Sequence, residues 1–171
     1  MAFAYYQRLS RPRQRIYQLS DGIEIIRLPD SQSITPLTDR LEVSLQSEDQ
    51  KEASRISNKL VAEICIALKV PRLKVRVLAK RPSDDREELH GLYDPRADED
   101  RPAEITVWMR TAKRRQVVAF RTFLRTLLHE LCHHLDYELL ALEESFHTEG
   151  FYKRESSLFH QLVPKAESDP E

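Results

Sequence analysis

His129 and His133 bracket the run His129-Glu130-Leu131-Cys132-His133, which sets two imidazoles and one carboxylate at H-E-x-x-H spacing. A helix turns about 100° per residue, so positions four apart lie about 40° from each other and one turn apart, and both imidazoles can reach one ion. Glu130 falls about 100° round from His129, placed to address the outer side of that ion without binding it. This is the chemistry of metal-assisted hydrolysis. Zinc lowers the pKa of a bound water to about 7 and polarises a carbonyl, and a neighbouring carboxylate moves the proton.

A hydrolytic zinc takes three protein ligands and keeps a fourth position for water, so another donor is required. Asp136, Glu143, Glu144, His147 and Glu149 are the downstream candidates. Asp136 shares the ligand face but stands nearly two turns along, which suits a partner of a ligand better than a ligand. His147 lies beyond the expected helix, where the chain can turn back, and imidazole is the commonest metal-binding side chain, so His147 is favoured. His134 points about 100° away from His133 and is expected at the surface. Cys132 points away from the motif histidines, and it and Cys65 are read as buried free thiols. Tyr137, Tyr152 and Arg154 are nearby groups that could donate to an oxyanion, each with an ordinary structural reading as well.

The elements around the motif follow from periodicity. Leu124, Leu127, Leu128, Leu131 and Leu135 fall roughly 100° to 200° from His129, so a helix over 115–142 turns its leucines to the core and its histidines the other way. Ile56, Leu60, Ile64 and Leu68 predict a helix over 47–70, capped by Ser47 and ended by Pro71. Alternation predicts strands at 73–78, around 89–93 and at Glu104–Arg110, with a charged loop over 94–102. A last helix runs over 150–163 to Pro164, followed by a mobile polar tail at 164–171. Residues 1–46 show one strand, 22–28, stopped by Pro29, and otherwise read as a partly ordered N-terminal extension. The order of elements is an α+β plan with a small sheet packed on helices.

Composition narrows the classes. With 171 residues, of which 40% are hydrophobic, the chain suits one domain with a real core. A net charge of −1 gives no global pull toward nucleic acid or membrane. Three glycines leave no Walker or dinucleotide-binding fingerprint. No signal sequence and no long apolar run is present, so the expectation is a cytoplasmic protein without a membrane partner.

His147 follows His133 by fourteen residues and Phe151 stands four beyond it, and with the preceding motif this resembles the SprT-like zinc metallopeptidases, whose pattern is H-E-x-x-H and then H-G-x-x-F. The likeness spans roughly 47–163 and is strongest between Leu127 and Leu158. It implies a compact zincin-like core in which a small mixed sheet packs on a long H-E-x-x-H helix with flanking helices. It also implies Zn2+ on His129, His133 and His147, Glu130 as catalytic acid and base, and a peptide or protein substrate. Thr148 replaces the glycine of the pattern and Gly150 stands two residues later; no cysteine follows Cys132 to build the zinc ribbon of some relatives.

The rival reading is a non-catalytic module in which zinc only holds the fold, closed by a fourth protein ligand and associated with nucleic acid. Arg110, Lys113, Arg114, Arg115, Arg121 and Arg125 form a run that is either a solvated face or a phosphate contact, which Arg8, Arg11, Arg13 and Arg15 could extend. The strand Glu104–Arg110 is either a free edge for an extended peptide or a core strand holding Trp108. The first 46 residues could also lie over the cleft as a prosegment.

Overall fold

The leucine stripe of the motif helix finds its partner in a three-stranded sheet. The computed structural model describes residues 2–80, 90–95, 100–112 and 116–164. In chain order a 3-10 turn (Ala4–Arg8) leads to α1 (Arg11–Asp21), α2 (Ser31–Gln46), α3 (Gln50–Leu68), β1 (Lys74–Lys80), β2 (Gly91–Asp94), β3 (Glu104–Arg110), α4 (Phe120–Glu138) and α5 (Glu149–Leu162). The expected α+β class and small mixed sheet are both present. β3 lies in the middle, parallel to β1 with Val75 opposite Ile105, and antiparallel to β2 with Leu92 opposite Thr106. Leu124, Leu127, Leu128, Leu131 and Leu135 are all fully buried, as are Ile105, Phe151, Leu158, Phe159 and Leu162.

The central position of β3 removes it as a docking edge for a peptide. Its residues Ile105 to Met109 are all buried, Trp108 among them, as befits a strand covered on both faces. Among the described residues the outer strands are β1 and the four-residue β2.

Residues 2–46 depart most from expectation. No strand forms at 22–28: that backbone is held by side chains of α5, with Gln161 Nε2 donating to Ile26 O at 2.8 Å, Leu28 N–H donating to Gln161 Oε1 at 2.8 Å and Arg154 donating to Ile23 O. Rather than a partly ordered extension, the segment supplies two helices, and Tyr17, Ile34, Leu37, Leu41 and Leu45 are buried. Ser47 closes α2, its hydroxyl donating to Val43 O at 2.8 Å, and Asp49 caps α3 by accepting Glu52 N–H at 3.0 Å. α3 stops at Lys69, which takes the left-handed conformation two residues before Pro71.

α4 starts later and ends earlier than periodicity predicts. Residues 116–118 are engaged with the end of β3, where Val118 N–H donates to Met109 O at 2.8 Å and Thr111 N–H donates to Gln116 O at 2.9 Å. At its other end Ala141 has φ 52°, reversing the chain toward His147. The predicted helix start at Arg115, the strand start at Leu89 and the tail beyond Pro164 lie outside the described residues. Cys65 and Cys132 are free and buried, as expected. Among the described residues no helix is long and apolar enough to cross a membrane.

Where α5 begins, the end of α1 comes so close that only glycine fits. A Cβ on Gly150 would stand 2.5 Å from Asp21 O and 2.7 Å from Ser20 O, both backbone atoms that cannot swing aside. Gly150→Ala is expected to cost about 1–3 kcal/mol through overpacking, seen as a lower urea midpoint with an unchanged slope. An unaltered midpoint would show that α1 is not seated against α5.

Candidate metal centre

α4 carries His129 and His133 one turn apart, with ring centroids 5.2 Å from each other. The reversed chain then brings His147 back, just before Thr148 caps α5 by accepting Phe151 N–H at 2.9 Å. His147 Nε2 stands 3.0 Å from both His129 Nε2 and His133 Nε2. The three rings are therefore close enough to bind one metal ion. Donors about 2.0–2.1 Å from a tetrahedral ion would be about 3.3 Å apart, near the spacing seen. Fully buried Phe151 packs under all three rings, with centroids 4.8 to 5.2 Å away.

Hydrogen bonds on the far side of the rings decide which nitrogens are bare. Ser145 Oγ donates its one hydrogen to Asp136 Oδ2 at 2.7 Å, so toward His133 Nδ1, also at 2.7 Å, it can only accept. The proton of His133 therefore sits on Nδ1, leaving a lone pair on Nε2. Glu155 Oε1 accepts from His129 Nδ1 at 3.2 Å with the same result. Burial lowers the His133 pKa to about 3, with the His147 and His129 charges adding to the effect. Burial, then His129, lowers that of His147 against an opposing Glu155. An uncharged His133 with its lone pair turned inward is what a divalent metal requires of a ligand.

Behind Ser145 lies a buried ion pair. Arg154 Nη2 donates to Asp136 Oδ1 at 3.1 Å, and neither side chain has solvent exposure. Burial pushes the Asp136 carboxyl up, while Ser145 and Arg154 pull it down. Arg154 also donates to the carbonyls of Ser20 and Ile23 and to Ser20 Oγ, so one guanidinium joins α1, α4 and α5. The N-terminal residues brace the His147 loop at further points. Tyr5 OH donates to His147 O at 2.6 Å, Arg13 forks onto Glu144 at 2.7 and 2.9 Å, and Asp21 Oδ1 accepts Gly150 N–H at 2.9 Å.

Glu130 is 8% exposed and lies at the wall of a cleft of about 430 Å³ that also borders His129, His147, Gly91, Arg125 and Glu155. Burial raises its pKa above the usual carboxylate range, against a lowering by His129 and with a further rise from Glu155. No residue from 2–46 lines this cleft, so the N-terminal segment supports the site from behind and does not cover it as a prosegment would.

The structure thus brings together all four residues singled out at the motif: His129, Glu130, His133 and His147. His134 is not at the surface. It is 1% exposed, with Nδ1 3.0 Å from Tyr93 OH and Nε2 2.8 Å from Pro71 O, a core histidine satisfied on both nitrogens. Asp136 does reach a histidine, through Ser145. Arg154 is sealed in the interior, and Tyr137 stacks on Tyr93 at 6.3 Å. Tyr152 lies beside the histidines, its ring 6.0 Å from that of His129 and 5.8 Å from that of His147. Burial pushes the Cys132 thiol well up, in keeping with its reading as a buried thiol. Of the basic run, Arg110 pairs with Glu48 at 2.8 Å, Arg121 and Arg125 lie over the Phe159 ring, and Lys113, Arg114 and Arg115 are outside the described residues.

Sequence reasoning missed Ser145, Glu155 and Tyr5. Glu155 sits one helical turn beyond Phe151 and so shares the face of α5 turned to His129, a signal that helix periodicity could have supplied. Ser145 and Tyr5 obey no spacing rule.

No protein-family model matches the chain, and no curated protein or solved structure matches it significantly.

If Glu155 and Ser145 hold the imidazoles in their metal-ready tautomer, Glu155→Gln and Ser145→Ala should each weaken zinc binding about 10–100-fold. Chelator competition reads the affinity and thermal melting verifies the fold. Equal affinity in parent and variants would remove both residues from that role.

Proposed function

We propose that the protein is a zinc-dependent metallopeptidase of SprT-like, zincin type, in which His129, His133 and His147 hold the ion and Glu130 is the general base. The observation that carries this reading is the openness of the histidine cluster. Among the described residues no fourth histidine, cysteine or carboxylate joins the three rings, and the cleft beside them contains the buried Glu130 carboxylate. A site that served only to hold the fold would close its shell with a fourth protein ligand and would have no use for that carboxylate.

A bound zinc would supply Lewis acidity, lowering the pKa of water to about 7 and polarising the scissile carbonyl. The protein's own groups do the rest. Glu130 takes the proton of the attacking water and passes it to the leaving amine. Gly91 makes room for that carboxylate, since any Cβ there would stand 2.8 Å from Glu130 Oε1. Of the three donors considered for the oxyanion, Tyr152 is the one beside the histidines. Among the described residues β2 is an outer strand of the sheet and its first residue, Gly91, lines the cleft, so in this reading β2 takes the place of β3 as the strand along which an extended substrate lies.

Glu130→Gln should keep one zinc per chain and lose about 10²–10⁴-fold in kcat. The assay is metal content together with cleavage of an unfolded protein substrate. A parent that holds zinc but cuts no peptide bond would return the protein to the module reading. Gly91→Ala supplies an independent check, because it must displace Glu130 or Thr126 without touching a histidine. It should lower kcat by up to about 10²-fold at unchanged zinc content; full kcat would show that Glu130 does not act from the position seen.

A further inference from the structure

Arg125 stands one turn before His129 on α4, about 6 Å along the axis, and lines the same cleft. Its guanidinium carbon lies 4.1 Å from the centroid of the Phe159 ring, which is fully buried, so the group is propped in place from below. Among the described residues no carboxylate pairs with it. Glu155, on the facing helix and bordering the same cleft, is turned to His129 Nδ1. Arg121, one turn further back on α4, lies 5.0 Å from the same ring, so both guanidinium groups rest on Phe159. A fixed guanidinium without a carboxylate partner at the edge of a reaction cleft is a recognition element for an anion, and its fork matches a carboxylate or a phosphate.

Building on the metallopeptidase reading, we propose that Arg125 forms a carboxylate subsite, so that the preferred substrates are peptides bearing a carboxylate one or two residues from the scissile bond. An extended peptide advances about 3.3 Å per residue, which matches the roughly one-turn offset between Arg125 and His129. The carboxylate comes either from an Asp or Glu side chain or from the C-terminus of the substrate. A nucleic-acid backbone is the weaker occupant, since its successive phosphates would also be driven against Glu130 and Glu155, which border the same cleft.

The test measures binding on zinc-loaded, full-length Glu130→Gln protein, so that no turnover is needed. The probes are N-acetylated hexa-alanine amides with Glu or with Gln at the fourth position, and the Gln peptide with a free C-terminal carboxylate. Either carboxylate peptide should bind about tenfold tighter than the blocked Gln peptide, and whichever does so identifies the source. The preference should vanish on adding Arg125→Gln, survive in part with Arg125→Lys, and pass to a Lys-containing peptide with Arg125→Glu. Thermal melting of each variant checks the packing on Phe159. Equal affinity for all three peptides, or a preference that persists in Arg125→Gln, would overturn the proposal. So would Arg125-dependent binding of a single-stranded oligonucleotide without any peptide preference. These outcomes are separable from failure of the hydrolytic reading, which is judged by zinc content and cleavage in the parent protein.

Discussion

A guanidinium without contact to water governs the geometry of the site. Arg154 cannot shed its charge, so its burial requires a buried anion and several carbonyl acceptors close by. Asp136 of α4 and the Ser20 and Ile23 carbonyls at the end of α1 meet that demand. Removing either charge would strand the other in the interior, at a cost of about 3–5 kcal/mol. Three separate elements are therefore locked together, and the second oxygen of Asp136 is left aimed at Ser145 and, through it, at His133. The tautomer of His133, one of the three clustered histidines, is in this way set by a charge pair in the core.

The same pair explains why the N-terminal residues belong to the folded unit. The loop from α4 to α5 must place His147 within 3.0 Å of two other rings. Loops hold side chains less firmly than helices do, because ordering a residue costs roughly 1–2 kcal/mol of backbone entropy. Tyr5, Arg13, Ser20 and Asp21 supply hydrogen bonds to that loop and to the first turn of α5. His147 can thus be nearly as well placed as the two histidines on a regular helix.

What could be read from the sequence followed the range of the interaction concerned. The motif, the leucine face of α4 and the bounds of β3 depend on neighbours within one or two turns, where periodicity is informative. His147 was reachable by asking for a third donor where the helix must end. The apolar spacing Ile34, Leu37, Leu41, Leu45 did mark α2, but Pro36 lies within it and Pro29 before it, and a proline ordinarily interrupts helical periodicity. Alternation at 22–28 was a strand pattern whose hydrogen bonds went to Gln161, more than 130 residues away. His134 looked exposed because it points about 100° away from His133, yet the same wheel puts it about 140° round from His129, beside Leu127, and Tyr93 and the Pro71 carbonyl meet it there. Tyr5 on His147 and Arg154 on Ser20 are links across more than 130 positions, invisible to any rule of spacing.

Charge at the cleft ties metal binding to anion binding. Glu130 and Glu155 bring two negative charges to it and Arg125 one positive, while Arg154 and Asp136 cancel behind it. A divalent ion on the histidines would turn this net charge of −1 into +1, so an anion is attracted to the loaded cleft and discouraged from the metal-free one. The coupling is reciprocal: an anion that binds better when metal is present must, to the same degree, tighten the metal. Because imidazoles carry no charge of their own, a His-only donor set leaves the ion's full double charge to be felt by Glu130 and by whatever Arg125 holds. A carboxylate among the donors would have cancelled half of it.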